Sequence, residues 1–212
     1  MTQKTETLLP VLAGQPVIPV IRIERAADAV PLARALAKGG LPAIEITLRT
    51  PAALDAIRAA ADEVPEAVVG AGTVLDARSY EAAVRAGARF IVSPGASGKL
   101  FDAAEASAVP LLPGAVTASE IIAAIDRGYS LLKFFPAEQA GGAAYLKSLS
   151  SPLAGVRFCP TGGITTANAR DYLKLPNVVC VGGSWVAPDD LMAQGRWQEI
   201  EALGKAAAQL RA

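Results

Sequence analysis

Histidine is absent from the 212 residues, and its absence narrows the chemistry that the chain can perform. Histidine is the commonest general acid–base and the commonest zinc ligand in proteins. Any acid–base step must therefore use a carboxylate, lysine, tyrosine, cysteine or water. Cysteine does not fill the gap, because the two cysteines lack the spacing of a metal site. We expect no metal site.

An excess of charge of one sign is also missing. Twenty Lys and Arg residues balance twenty Asp and Glu residues, so the formal net charge is zero. Proteins that bind nucleic acid or anionic membranes usually carry a basic surface. We therefore expect neither partner.

Long hydrophobic runs are lacking as well. The most apolar stretch near the start, residues 8–21, is interrupted by Pro10, Pro16 and Pro19 and is too short to span a membrane. It also lacks the flanks of a signal peptide, since Glu6 precedes it and no small-x-small cleavage site follows. A short first helix followed by a strand is the expectation.

The two cysteines, Cys159 and Cys180, both lie in apolar runs. A disulfide scaffold would have more cysteines in a shorter chain, and a catalytic cysteine would need a histidine or another cation beside it. The expectation is two buried, unreactive thiols in a reducing, cytoplasmic protein.

A unit of helix end, glycine and apolar strand recurs along the chain. Gly40, Gly87 and Gly128 each end a predicted helix, and the residues five positions further on include Glu45 and Lys133. The predicted strands cover residues 17–22, 43–48, 67–71, 89–92, 109–112, 130–135, 156–159 and 178–182. The predicted helices cover residues 26–38, 51–63, 76–86, 98–107, 117–127, 140–150, 165–173 and 192–210.

This alternation predicts an α/β fold with parallel strands that are buried on both faces. Eight units in a chain of this length fit a single-domain (β/α)₈ TIM barrel over residues 1–212, with the short N-terminal helix in front. The alternative is an open doubly wound sheet. The glycine-rich turn that often follows the first strand of such sheets is absent, because residues 22–25 read Arg-Ile-Glu-Arg.

Lys133 is the lysine whose surroundings are unusual. It lies in the uncharged run Ser-Leu-Leu-Lys-Phe-Phe-Pro at residues 130–136, whereas the other six lysines lie in polar or helix-like stretches. A buried lysine is costly unless it is paired or loses its proton, and a neutral amine is a nucleophile towards carbonyl groups. Two structural interpretations stay open, a strand-end lysine that reaches solvent and a buried ion pair.

Polar side chains share one face of the second predicted strand. Glu45, Thr47 and Arg49 alternate with Ile44, Ile46 and Leu48, so the polar set should point into the barrel. By the same count Lys133 and Phe135 share a face with Leu131. A structural ion pair between Glu45 and Arg49 is the alternative to a catalytic role for these charges.

Glycine pairs follow the last two strands. Gly162-Gly163 and Gly182-Gly183 lie where barrels often bind phosphate. We expect the loop that contains the first pair, residues 161–168, to run into a helix and to present free N–H groups to an anion, and we expect the same of residues 182–184. Plain turns are the alternative.

With these residues identified, the chain resembles the family of 2-keto-3-deoxy-6-phosphogluconate aldolases, which overlap in activity with 4-hydroxy-2-oxoglutarate aldolases. The resemblance runs from Val17 to about Trp185. Six stretches carry it: Glu-Ile-Thr-Leu-Arg at 45–49, Gly-Ala-Gly-Thr at 70–73, Ser-Pro-Gly at 93–95, Lys-Phe-Phe-Pro-Ala-Glu at 133–138, Arg-Phe-Cys-Pro-Thr-Gly-Gly-Ile at 157–164 and Gly-Gly-Ser-Trp at 182–185.

The resemblance implies a class I aldolase on a (β/α)₈ barrel, with Lys133 as the Schiff-base lysine and Glu45 as the general acid–base. It implies that Arg49 and Thr73 hold the pyruvyl carboxylate, with Phe135 nearby. The remaining implied substrate-binding residues are Pro94, Thr161, Gly162, Gly163, Gly183 and Ser184. Thr161 matches a substrate-recognition position, and Gly162, Gly163 and Ser184 match the phosphate-binding segment.

The implied reaction is reversible cleavage of 2-dehydro-3-deoxy-6-phosphogluconate into pyruvate and glyceraldehyde 3-phosphate. The partners would be a small 2-keto acid and a phosphorylated aldehyde, and a second substrate would be 4-hydroxy-2-oxoglutarate. The resemblance further implies a homotrimer. No cofactor is expected, because an iminium on Lys133 would act as the electron sink. A phosphosugar isomerase or epimerase, and a non-catalytic phosphosugar-binding barrel, are the alternative functions.

Overall fold

Parallel β-strands form the centre of the structure. The computed structural model describes residues 4–211, with side chains through residue 210. Within that part of the chain eight strands occur: β1 Val17–Ile21, β2 Ala43–Thr47, β3 Val68–Gly72, β4 Phe90–Val92, β5 Leu111–Leu112, β6 Leu131–Phe134, β7 Arg157–Pro160 and β8 Val181–Gly183. Each predicted strand is found, with ends that differ by at most three residues.

The strands close into a ring. Six of them pair in the order β5-β4-β3-β2-β1-β8, and β6 pairs with β7. Parallel bridges join the two groups, Gly114 to Lys133 on one side, and Phe158 to Val178 and Thr161 to Gly182 on the other. The predicted (β/α)₈ barrel is confirmed, and the open doubly wound sheet is not formed.

Helices surround this ring. Their bounds are α1 Thr5–Ala13, α2 Ala29–Lys38, α3 Ala53–Glu63, α4 Ala77–Arg85, α5 Gly98–Ala106, α6 Ala118–Asp126, α7 Gly142–Leu149, α8 Ala169–Leu173, α9 Asp189–Ala193 and α10 Trp197–Ala208. A 3₁₀ turn, Ala26–Asp28, precedes α2. No helix among the described residues is long and apolar enough to cross a membrane.

The recurring glycines end helices as the sequence predicts. Gly40, Gly87 and Gly128 have φ values of 83°, 95° and 85°, a left-handed conformation that glycine adopts without steric cost. In each case the next residue donates its amide to a carbonyl in the last turn of the helix, as Leu41 does to Leu36 at 2.9 Å. The chain thereby enters β2, β4 and β6 in the same register.

Two apolar clusters divide the core. The outer cluster fills the layer between strands and helices and contains Ile44, Ile46 and Leu132. The inner cluster fills the barrel and consists of Leu8, Leu12, Ile18, Ala43, Phe90, Val92, Leu112, Leu131, Cys159, Val179 and Cys180. Its Leu8 and Leu12 come from α1, so the predicted first helix contributes to the barrel core. Both cysteines are buried and free of disulfides, as predicted.

Three predicted helices differ from the structure by more than two residues at one end. The helix expected over 26–38 opens with the 3₁₀ turn. The helix expected over 192–210 is two helices, because Gly195 adopts a φ of 67° between α9 and α10.

The helix expected over 165–173 begins only at Ala169. The Asn168 side chain accepts a hydrogen bond from the Thr165 amide at 2.8 Å, and the Thr165 hydroxyl accepts one from the Ala167 amide at 3.3 Å. Such local bonds compete with helix formation.

Candidate active site

A lysine and a glutamate meet inside the barrel. Lys133 lies on β6 and Glu45 on β2, 88 residues apart, and the Lys133 Nζ donates to Glu45 Oε1 at 3.1 Å and to Oε2 at 3.5 Å. Their side chains are only 6% and 4% exposed. The predicted burial of Lys133 is confirmed, and its partner is the carboxylate that shares its position in the repeat.

Gly72 on β3 makes room for this pair. A Cβ atom at Gly72 would lie 2.0 Å from Glu45 Oε1 and 2.6 Å from its Cδ. In the sequence, Gly72 stands out only as part of an unusual glycine-containing strand end. Its role in the site can be recognised only in the three-dimensional structure. The missing methyl group is what allows the Glu45 carboxylate to reach Lys133.

Arg49 lies beyond the end of β2 and is exposed. Its Nε donates to the Thr47 hydroxyl at 2.9 Å, and that hydroxyl donates to the Ile21 carbonyl at 2.7 Å. The ion pair between Glu45 and Arg49 that the sequence left open is not among those of the described residues, where Glu45 pairs with Lys133. Arg49 is thereby held at the barrel mouth as a cation.

Thr73 and Pro94 follow β3 and β4 and are half-buried. Thr73 has a φ of 60°, which is uncommon for any residue other than glycine and costs on the order of 1–3 kcal/mol. Pro94 packs its backbone against Gly114, where a Cβ would lie 2.2 Å from the Pro94 carbonyl oxygen. Strained backbone of this kind clusters at functional sites, so Thr73 stays a candidate.

Phe135 forms one wall of the site. Its ring is 37% exposed, and the Lys133 Nζ lies 5.5 Å from the ring centroid. A Cβ at Gly162 would come within 3.2 Å of that ring. The loop after β6 is joined to the loop after β7 by the Ala137 amide, which donates to the Thr161 carbonyl at 2.8 Å.

Thr161 and the glycines around it are tightly packed. The Thr161 side chain is buried, and a Cβ at Gly182 would lie 2.2 Å from its Oγ1. Gly162 and Gly163 have φ values of 101° and 74°. Among the described residues, their amides do not donate to the backbone carbonyls that bind this loop together, so these N–H groups are free for a ligand. The loop runs into a helix as expected, but α8 begins at Ala169 and not at the predicted residue 165.

A cavity of 580 Å³ opens at the carboxyl end of β1 and β8, and we call it the mouth cavity. It is lined by Val20, Arg22, Arg49, Ser184, Trp185, Ala187, Pro188, Asp189 and Asp190. Val20 is the register partner of Glu45 in the β1–β2 pairing, so the cavity begins beside the buried pair. The structure therefore brings Arg49 and Ser184 together, while Lys133 and Glu45 lie behind them in the barrel.

Two features of the site escaped sequence reasoning. The first is Arg22, which lines the mouth cavity, and the alternation of β1 places it on the same face as Val20.

The second is Tyr172 on α8, which donates its hydroxyl to the Glu138 carboxylate in the loop after β6. Burial, and then this carboxylate, raise the pKa of Tyr172 above its ordinary range. Glu138 also donates its amide to the Gly162 carbonyl at 3.1 Å, so this contact fixes the glycine turn.

This geometry suits carbonyl chemistry. An amine and a carboxylate at 3.1 Å can exchange a proton, after which the amine is a nucleophile and the carboxyl group an acid. A family model described as KDPG and KHG aldolase matches residues 10–203. The chain belongs to this aldolase family.

Members of the aldolase family from several bacteria match almost the whole chain. A 2-dehydro-3-deoxy-phosphogluconate aldolase of Pseudomonas aeruginosa is 49% identical over 98% of this chain and 94% of its own length. A KHG/KDPG aldolase of Escherichia coli is 48% identical over 94% of this chain and 93% of its own. The crystal structure of a KDPG aldolase from Legionella pneumophila, with pyruvate captured as a covalent carbinolamine intermediate, superimposes with a TM-score of 0.93. It is 44% identical and covers 95% of this chain and 98% of its own.

Proposed function

We propose that this aldolase cleaves 2-dehydro-3-deoxy-6-phosphogluconate reversibly into pyruvate and glyceraldehyde 3-phosphate through a Schiff base on Lys133. The observation that carries the proposal is the buried contact of 3.1 Å between Lys133 Nζ and Glu45 Oε1. A lysine that must attack a ketone needs a base beside it, and in a chain without histidine a carboxylate is the natural choice.

The proposed steps balance without an added reagent. Glu45 takes a proton from the Lys133 ammonium, and the neutral amine adds to the C2 ketone. The Glu45 carboxyl group then gives a proton to the carbinolamine hydroxyl, so that water leaves and an iminium remains. Glu45 takes the proton of the C4 hydroxyl, the C3–C4 bond breaks, and its electron pair passes into the iminium to form an enamine while the aldehyde leaves. Glu45 gives that proton to C3 of the enamine, and hydrolysis of the resulting iminium releases pyruvate and restores the amine.

The other site residues would bind the two ends of the substrate. We propose that Arg49 and Thr73 hold the pyruvyl carboxylate, while Phe135 and Pro94 shape the wall around the ketone. Arg49 is the cation that the Thr47 hydroxyl holds at the barrel mouth, which supports this assignment.

We propose that the phosphate lies at the loops that follow β7 and β8. Free amides at Gly162 and Gly163, and the exposed Ser184 beside Gly183, would donate to its oxygens. The buried Thr161 would contact the hydroxyl-bearing part of the sugar acid.

A second activity is cleavage of 4-hydroxy-2-oxoglutarate into pyruvate and glyoxylate. The name of the Escherichia coli relative supports it. Both substrates carry the 2-keto acid end that Lys133 and Arg49 would hold, so the same iminium serves both reactions.

Borohydride trapping with pyruvate tests the proposal. We expect one stable adduct, which peptide mapping assigns to Lys133. A Lys133→Met variant should form none, whereas Lys147→Met, which removes an exposed lysine from α7, should behave as the parent does. An adduct on another lysine, or none, would point instead to a phosphosugar isomerase or epimerase, or to a non-catalytic phosphosugar-binding barrel with a structural ion pair.

We also propose a single domain over residues 1–212, a homotrimer and a cytoplasmic location. Family resemblance supports the trimer, and two buried cysteines that form no disulfide are compatible with a reducing compartment. Light scattering on the protein as it elutes from a size-exclusion column would measure its mass and test the trimer. A monomeric or dimeric mass would contradict it.

A further inference from the structure

Thr47 ends β2 on the same inner face as Glu45, and the proposed mechanism does not use its hydroxyl. The residue is buried, with 1% of its surface exposed. A buried hydroxyl needs hydrogen-bond partners, and this one has two. Its Oγ1 donates to the Ile21 carbonyl at 2.7 Å and accepts from Arg49 Nε at 2.9 Å. The side chain of Thr47 therefore connects the end of β1 to Arg49.

The direction of both hydrogen bonds is fixed by the chemistry of the partners. A carbonyl oxygen can only accept and a guanidinium nitrogen can only donate, so the hydroxyl proton points to Ile21 and a lone pair to Arg49. The main chain of Arg49 is held by the same residue, because its amide donates to the Thr47 carbonyl at 2.8 Å. Thr47 thus fixes both the backbone of Arg49 and the base of its guanidinium.

The contact turns the Arg49 side chain back towards the buried pair. Arg49 is exposed and lies two residues beyond the end of β2, so its side chain could otherwise extend into solvent. Its Nε instead lies against Thr47, which is only two residues, or roughly 6.5 Å, further along the strand than Glu45. In a 2-keto acid the carboxylate is bonded directly to the carbonyl carbon that Lys133 would attack. A cation that binds this carboxylate must therefore lie close to the pair.

The bond to Thr47 also determines which part of the guanidinium a ligand can reach. Nε carries a single N–H, and Thr47 accepts it. Within the described part of the chain, the two terminal nitrogens of Arg49 have no hydrogen bond or ion pair. These two nitrogens form a planar face that can donate two parallel hydrogen bonds to one carboxylate.

We propose that Thr47 is a positioning residue that sets the affinity of this aldolase for 2-keto acids by orienting Arg49. This inference rests on the proposed function, in which Arg49 holds the pyruvyl carboxylate. Thr47 itself would not touch the substrate. By holding Nε in advance, it lowers the conformational entropy that a long side chain loses when the carboxylate binds.

The test measures pyruvate binding through the trapping reaction. Pyruvate has only the carboxylate and the ketone by which to bind, so the pyruvate concentration that gives half of the maximal labelling rate with borohydride reports on Arg49 without any aldehyde or phosphate. Thr47→Val keeps the branched shape and removes the hydroxyl. Thr50→Val is the matched control, because the Thr50 hydroxyl donates to the Ile23 carbonyl at 2.5 Å but does not bond to Arg49.

We expect Thr47→Val to raise the half-saturating pyruvate concentration about two- to tenfold, the equivalent of immobilising one long side chain. Labelling of Lys133 at saturating pyruvate should be retained, which also shows that the variant is folded. Thr47→Ala should behave as Thr47→Val does, while Thr47→Ser, which keeps the hydroxyl, and Thr50→Val should stay near the parent value. In aldol addition, KM for pyruvate should rise and KM for glyceraldehyde 3-phosphate should not.

Arg49→Gln separates positioning from a merely structural role of Thr47. In that background no guanidinium remains for the hydroxyl to orient, so adding Thr47→Val should raise the half-saturating concentration little further. If the two changes were fully additive, Thr47 would act independently of Arg49 and the proposal would be wrong.

An unchanged half-saturating concentration in Thr47→Val, or an equal rise in Thr50→Val, would also overturn the proposal. The parent protein keeps this inference apart from the proposed function. An adduct on Lys133 of the parent together with an unaltered Thr47→Val refutes the role of Thr47 alone, whereas the absence of an adduct in the parent refutes the aldolase mechanism.

Discussion

Replacing Gly72 with alanine should move the Glu45 carboxylate away from Lys133 without changing any charged residue. The new Cβ would lie 2.0 Å from Oε1 and 2.6 Å from both Cδ and Cγ of Glu45. Comfortable contacts between heavy atoms are near 3.5 Å, so the carboxylate must retreat by roughly 1–1.5 Å. Its contact of 3.1 Å with Lys133 Nζ would then exceed hydrogen-bond range.

The expected loss of turnover follows from that displacement. A catalytic group misplaced by about 1 Å costs on the order of 10²-fold in rate, and complete loss of general acid–base catalysis costs about 10²–10⁴-fold. Gly72→Ala should therefore reduce kcat by about 10²–10⁴-fold. Trapping with pyruvate and borohydride should still label Lys133, because the amine itself is retained.

Gly70→Ala is the matched control. Gly70 lies two residues earlier on β3 and faces the same way, and a Cβ there would lie 2.3 Å from the ring of Phe90 in the inner cluster. Neither glycine has a positive φ, so alanine adds no backbone strain at either position. Overpacking of this kind costs about 1–3 kcal/mol, which lowers Tm by roughly 2–12 °C in a chain of this size.

Both variants should therefore lose stability to a similar extent in thermal unfolding, and Gly72→Ala should lose far more turnover at a temperature where both are folded. If Gly72→Ala retained the parent kcat, or if Gly70→Ala lost as much, the position of the Glu45 carboxylate would not limit the reaction.

Three further outcomes are expected. Glu45→Gln should form the pyruvate adduct but lose about 10²–10⁴-fold in kcat, and unchanged cleavage would assign the base to water or another carboxylate. Activity should survive exhaustive treatment with EDTA, whereas a loss that a divalent ion restores would contradict the metal-free mechanism. The Thr117 and Val116 amides donate to the Glu120 carboxylate and lower its pKa, so its stabilisation is present above the unfolded value of about 4.3 and is lost as the pH falls. Glu120→Gln should therefore lower Tm at pH 7, by the equivalent of no more than about 1 kcal/mol at this exposed cap, and by less at pH 3; an equal decrease at both would refute the assignment.

The periodicity of the sequence was sufficient to predict the barrel and the orientation of its charged side chains. The five-residue spacing from Gly40 to Glu45 and from Gly128 to Lys133 places each charged residue at the same distance from the start of its strand. Because all strands of a parallel barrel run in one direction, equal distances along the strands place the two side chains in the same part of the interior. The contact between Lys133 and Glu45 then follows from closure of the ring.

Other parts of the site depend on contacts that no local pattern contains. Gly72 is opposite Thr47 in the β2–β3 pairing, and only that register reveals that its missing methyl group accommodates Glu45. The start of α8 was predicted too early, because hydrogen bonds among residues 165–168 compete with the helix. Arg22 was overlooked because a charged residue just after a strand is ordinary until the neighbouring β8 places it beside Ser184.

The surroundings of the Lys133–Glu45 pair argue against a role in stability alone. Burying two charges carries a desolvation cost that their attraction often fails to offset, and apolar replacements of similar volume are frequently as stable. Forming the pair also requires Gly72, because a methyl group at that position would displace the Glu45 carboxylate, so the pair forgoes the apolar contact that an alanine would add in the core. The chain has instead a glycine inside a strand, where it weakens the strand, and a strained Thr73 directly after it. Both costs lie next to the carboxylate, and both are explained if the reaction depends on its position relative to the Lys133 amine.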